Sequence, residues 1–175
     1  MFDYFSFYKI QPAFHLDEAQ LRTAFLTIQR EWHPDFFGNE PDKLEEALLM
    51  SGYNNEAYKN LGSFESRVRY ILQEMGMRGE EGRNKLPADF LADLMDLNDL
   101  IDLAADGDKD AHIKAGSELD AMMEVTLNRM QQDAQKLDAL TSAWTQAEIE
   151  PIQVSWQKWQ YLSRLKKNLL GEKEY

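Results

Sequence analysis

The sequence predicts an all-α protein: an N-terminal helical hairpin with short flanking helices, followed by a C-terminal three-helix bundle. Three observations carry this. Apolar residues recur every three or four positions through most of the 175-residue chain, the signature of one-faced helices. No segment alternates apolar and polar residues in the manner of a strand. Gly76, Gly79 and Gly82, among mixed charges up to Pro87, interrupt the helical pattern and mark a boundary. The predicted units are 1–77 and 87–175, joined by a linker over 78–86.

Asp17 is an N-cap candidate, and Leu16 with Leu21 can form a hydrophobic staple, so a helix is predicted from about residue 18 to Trp32. Leu21, Phe25, Ile28 and Trp32 are its apolar stripe. Pro34 disfavours helical backbone at His33 and ends the helix there. Phe36 to Pro41 is rich in turn residues. The next helix is predicted over 42–61, with Leu44, Leu48, Ser51, Asn55 and Tyr58 facing inward. Gly62 reads as its C′ residue and Ser63 as the cap of a short helix to about Met75. In the second unit Pro87 suits a first helical turn. Phe90, Leu94, Leu97, Ile101 and Ala104 form one stripe, which Gly107 ends. Gly116, Met123, Leu127, Met130, Ala134 and Leu137 form the next. A last helix is predicted from Trp144 or Pro151 to Leu170, with Trp159, Leu162, Leu165 and Leu169 inward.

The net charge is −12. Residues 1–77 carry 7 Lys+Arg against 12 Asp+Glu, and the remainder 12 against 19, so both units are acidic. Nucleic acid and anionic membranes are therefore disfavoured as partners. No window approaches the roughly 18–20 apolar residues that cross a bilayer, and the N-terminal residues do not read as a secretory signal. Without Cys there is no disulfide and no thiolate that could hold a metal or an iron–sulfur cluster; a reducing cytoplasmic setting fits. Asp106, Asp108 and Asp110 begin like a calcium loop, but Ala111 and Ser117 stand where Gly and Glu are needed. His15, His33 and His112 lie far apart in the sequence and outside any zinc motif. Trp144, Trp156 and Trp159 read as packing residues. No phosphate loop or nucleophile motif is present, so neither an enzyme nor a cofactor is expected.

The most informative stretch is His33-Pro34-Asp35, placed outward at the end of the helical hairpin. On a helical wheel Arg22, Leu26, Gln29 and His33 share one line, about 100° from the core stripe. A polar-basic face thus runs up to the turn.

Two helices joined through His-Pro-Asp resemble a J-domain, the module that docks on DnaK-class chaperone ATPases. Asp3-Tyr4-Phe5 resembles the segment that opens such domains, and Ile10, Pro12, Phe14 and Leu16 the turn into their second helix. Asn54 to Leu61 is similar to the end of their third helix, and Arg67, Arg69 and Tyr70 to a short fourth. The remaining chain resembles the client-binding domain of HscB-type co-chaperones of iron–sulfur cluster assembly. The resemblance implies that His33, Pro34 and Asp35, with Arg22, Leu26, Gln29 and Arg30, bind an HscA/DnaK-type ATPase. Phe36 follows His-Pro-Asp where Lys is usual, and the helix before it offers only Arg22 and Arg30, with Glu31 beside them. The electrostatic part of docking is therefore expected to be modest.

The predicted helix from Phe90 to Ala105 carries more apolar residues than one stripe needs. Leu91, Met95 and Leu103 fall on its far side beside Ala92, Asp96 and Asp99, an apolar strip rimmed by acids, as on a protein-docking surface. By resemblance, Leu91, Ala92, Met95, Asp96, Asp99 and Leu103, with Tyr161 on the last helix, bind an IscU-type scaffold. Ala92 stands where a larger apolar residue is usual and Leu103 where an acid is usual. The expected function is that of a co-chaperone delivering the scaffold to the ATPase. A J-domain adaptor for a client outside iron–sulfur assembly is the alternative.

Overall fold

The computed structural model describes residues 3–77 and 86–171. All regular structure among them is helical. The chain divides into two compact units at Met77/Arg78. Apart from Leu86, the linker expected over 78–86 lies outside the described residues, as do Gly79 and Gly82.

The first unit contains α1 (Asp3–Phe7), α2 (Glu18–Glu31), a 3₁₀ turn (Pro34–Phe37), α3 (Pro41–Leu61) and α4 (Phe64–Glu74). Lys9 has φ +56°; its N–H and that of Ile10 bond back to Ser6 and Phe5 carbonyls, closing α1 with a left-handed residue where glycine is usual. Asp17 caps α2, accepting from the N–H groups of Ala19 and Gln20 at 2.9 and 3.1 Å. Leu21 is the buried residue of that helix, and Phe25 stacks on Tyr58 of α3 with ring centres 4.4 Å apart.

The inward face of α3 differs from the expected one. Ala47, Asn54, Ala57 and Leu61 are buried, whereas Leu48 and Asn55 face solvent. Two alanines supply the contact face, so side-chain hydrophobicity alone points to the wrong stripe. Asn54 donates to the Phe25 carbonyl of α2 at 3.1 Å and accepts the Tyr8 hydroxyl at 2.8 Å, joining three segments through one buried amide. Gly62 is also not the left-handed residue expected: it is the C-cap, at φ −70°. Its N–H lies 2.7 Å from the Tyr58 carbonyl, and a Cβ there would meet that oxygen at 2.8 Å. Glycine is required by closeness, not by handedness. Ser63 then caps α4 in a reciprocal box with Ser66.

α4 carries the buried Arg67. Its Nε donates to the Phe14 carbonyl at 2.9 Å, and a second guanidinium nitrogen donates to the Leu61 carbonyl. One cation thus ties the loop before α2 to the C-terminal end of α3, where the helix dipole favours positive charge. The Tyr70 hydroxyl accepts the Tyr4 N–H at 3.1 Å. Burial pushes the Tyr70 hydroxyl up to about 12, against the opposing pull of that bond. Burial, with Tyr58 adding, raises Tyr8 still further above the ordinary tyrosine value.

Both tyrosines are neutral in the fold and ionise more readily once unfolded, near pH 10. Their contribution is complete below that value and is lost as pH rises through the folded-state values. The melting temperature of this unit therefore falls as pH rises from about 9 to about 12, and Tyr8→Phe shallows the fall. A melting temperature independent of pH over that range contradicts this account.

The second unit packs α5 (Ala88–Ala105), α6 (Lys109–Asp138) and α7 (Gln146–Leu169). Phe90, Leu94 and Leu97 of α5 meet Ala115 and Leu119 of α6 and Leu162 of α7; the short links between the helices turn the chain back each time, so consecutive helices run antiparallel. At 18 residues α5 is shorter than α6 at 30, about 27 Å against 45 Å at 1.5 Å per residue. The three-helix core therefore occupies one end; farther along, Met130, Ala134 and Leu137 of α6 and Ile149 and Ile152 of α7 are buried.

Pro87 is the N-cap of α5 rather than a first-turn residue. Gly107, at φ +99°, closes α5, and Asp108 caps α6 through the N–H groups of Asp110 and Ala111. The Asp106-Asp108-Asp110 run thus contains a helix cap. The Trp144 indole N–H donates to the Leu137 carbonyl at 3.0 Å, covering the end of α6. α7 begins at Gln146 behind a Thr145–Glu148 capping box and contains Pro151. The proline neither starts nor ends the helix: the buried Ile149 and Ile152 on either side of it hold the segment in place.

Candidate functional site

Two surfaces were expected, one in each unit. In the first, α2 ends at Glu31, and Trp32 stacks on Phe37 with ring centres 6.2 Å apart, securing both ends of the corner. His33 is the N-cap of the 3₁₀ turn, and its Nδ1 accepts the Asp35 N–H at 3.3 Å. The same ring nitrogen lies 3.7 Å from the Asp35 carboxylate. Pro34 occupies the first position of the turn, where its fixed φ suits the backbone and its missing N–H leaves no donor unsatisfied. The Asp35 side chain is 86% exposed. The corner is therefore an ordered turn with its carboxylate held out to solvent. Arg22 and Arg30 are exposed, Leu26 is at the margin of exposure and Gln29 is half-buried, consistent with one outward line along α2.

In the second unit, Leu91, Met95 and Leu103 of α5 are 48, 68 and 50% exposed, and Ala92, Asp96 and Asp99 are exposed too. Leu91, Met95, Asp99 and Leu103 follow one another at four-residue spacing, which makes a continuous ridge on a helix surface. Burial of α5 on both sides is thus ruled out within its unit. Tyr161 is half-buried in the bundle, with its ring edge-on to Phe90 at 6.4 Å. It lies beside the N-terminal end of α5, remote from Leu103, which stands thirteen residues beyond Phe90, about 20 Å along the helix. Two cations were not anticipated at this end: Arg164 lies 5.1 Å from the Tyr161 ring centre and Lys158 lies 4.9 Å from that of Phe90. Their three-residue offsets from Tyr161, read together with a helical phase, are the sequence signal for them.

Among the described residues no three His, Cys, Asp or Glu side chains form a group that could hold a metal ion. No helix among them is long and apolar enough to cross a membrane.

An exposed His-Pro-Asp turn between two packed helices, followed by a separate helical bundle, is the fold of a J-domain with a C-terminal helical domain. No family model matches the chain. The iron–sulfur cluster co-chaperone HscB of Mus musculus is 27% identical over 169 residues, 95% of this chain and 67% of its own length. An HscB homologue of Chromobacterium violaceum is 35% identical over 103 residues, 57% of this chain and 58% of its own; the match thus spans little more than half of that relative. Among solved structures, human HscB superposes with a TM-score of 0.76 at 23% identity, covering 97% of this chain and 81% of that one. HscB from Vibrio cholerae gives 0.67 at 22%, covering 96% and 95%. The chain is thus similar to HscB co-chaperones in sequence and shares the all-α fold of their solved structures.

Proposed function

We propose that this protein is a co-chaperone of iron–sulfur cluster assembly that binds an IscU-type scaffold through α5 and presents it to an HscA/DnaK-type ATPase docked on the first unit. The observation that carries the reading is the ordered, outward-facing His33-Pro34-Asp35 turn. Its Asp35 carboxylate is free to make a charge-assisted contact with a basic group on the chaperone. Pro34 and the bond from the Asp35 N–H to His33 hold the turn in shape, so little ordering entropy is lost on docking. The mouse relative is an iron–sulfur cluster co-chaperone, which supports the iron–sulfur context.

On the client side, the ridge Leu91-Met95-Leu103 provides apolar area, and Asp96 and Asp99 provide a polar rim. Carrying both surfaces on one chain raises the client's effective concentration at the ATPase. Replacing Leu91 and Met95 by Ala weakens scaffold binding by about 1–3 kcal/mol, as expected for interface anchors, with the helical content unchanged because neither side chain belongs to the buried core. Titration calorimetry with a purified scaffold measures this; unaltered affinity removes α5 as the client surface. If an IscU-type scaffold fails to bind while the protein still stimulates the ATPase, the alternative holds, a J-domain adaptor for a different client.

A further inference from the structure

The two adjacent phenylalanines of the corner have opposite environments. Phe37 turns inward and stacks on Trp32. Phe36 is 71% exposed, although the backbone carrying it is ordered: its N–H donates to the His33 carbonyl at 3.0 Å, inside the 3₁₀ turn. Its ring stands 5.8 Å from the His33 imidazole, tilted by 59°, and the rest of it faces solvent. A large aromatic side chain held in water on a rigid turn gains nothing for the fold, and burying one contributes substantially to an interface. The charges nearby give the surface little alternative: Arg22 and Arg30 are offset along α2 by Glu18 and Glu31, and Asp35 adds a further negative charge at the turn.

We infer that Phe36 is a second anchor of the chaperone-docking corner and inserts into an apolar pocket of the ATPase beside the basic group that receives Asp35. This rests on the docking reading above and deepens it by giving the chemistry of the partner surface. An aromatic anchor contributes apolar area and not charge, so association depends less on salt than attraction between opposite charges would make it. Leu26, partly exposed on the α2 line that leads to His33, extends the same apolar footprint.

The test uses the full chain and its cognate DnaK-class ATPase, with the concentration giving half-maximal stimulation measured at low and high salt. Phe36→Ala raises that concentration about tenfold, within the usual range for an interface anchor, and Phe36→Leu recovers most of the loss. Phe36→Lys docks in low salt and loses stimulation as salt is raised, while the unaltered protein changes little. An unchanged half-maximal concentration for Phe36→Ala, alongside an inactive Asp35→Asn, overturns the anchor and leaves the docking corner standing. Equal salt sensitivity of the unaltered protein and Phe36→Lys overturns it too. Full stimulation by Asp35→Asn removes the corner itself, and the anchor with it.

Discussion

Asp35→Asn removes stimulation of the partner ATPase while leaving the protein folded. The substitution is nearly isosteric, and the side chain is 86% exposed, so packing is untouched. The Asp35 N–H that bonds His33 belongs to the backbone and survives the change. What disappears is one negative charge at the centre of the proposed contact. Hydrogen bonds involving a charged group contribute about 1.5–3 kcal/mol, so docking weakens by at least roughly tenfold. An ATPase assay at several protein concentrations reads the loss, and circular dichroism verifies the fold. Because the surface proposed for the scaffold lies on α5, in the other unit, scaffold binding is expected to stay unchanged in the same variant. That separation distinguishes a broken docking site from a damaged molecule.

Arg67→Leu has the largest expected effect on stability. The guanidinium is buried and bonded to the Phe14 and Leu61 carbonyls, and leucine satisfies neither oxygen. Each buried group left without its partner costs about 1–3 kcal/mol, so a total near 3 kcal/mol is expected. For a unit of this size that lowers the melting temperature by roughly 10–20 °C. The first unit should lose stability selectively, with the α5–α7 bundle melting as before. Differential scanning calorimetry reads both transitions; a first-unit transition that stays in place contradicts the role assigned to Arg67. Reduced stimulation at the assay temperature then follows from unfolding, unlike the loss in Asp35→Asn.

These two residues mark the limits of what the chain reveals before folding. Asp35 is legible because a proline, a helix stripe and a turn-rich stretch surround it, and each constrains the backbone locally. The core stripe of α5 and its outer ridge are legible for a related reason: Leu91, Met95 and Leu103 have no place on a stripe already filled by Phe90, Leu94 and Leu97. The packing roles of Arg67 and Asn54 are hidden, since charged and amide side chains are usually solvated and their partners lie on other segments of the chain. The inner face of α3 is hidden because alanines signal close approach weakly, so the spacing points to Leu48 and Asn55 where Ala47 and Ala57 are buried. The start of α7 carries two competing signals: Pro151 suggests a boundary, whereas the Thr145–Glu148 box sets it five residues earlier. At α3 a tertiary contact outweighs the local preference, whereas at α7 one local signal, the capping box, outweighs another, the proline.

The central claim is that one corner of this chain drives hydrolysis in a partner while α5 carries the client. Steady-state ATP turnover by the cognate DnaK-class chaperone, measured with the protein alone and with the protein plus a purified IscU-type scaffold, tests it most directly. The account predicts that turnover rises with the protein, rises further with the scaffold, and loses the second increment when Leu91 and Met95 are replaced by Ala. Turnover that remains at the basal rate in both mixtures would contradict it.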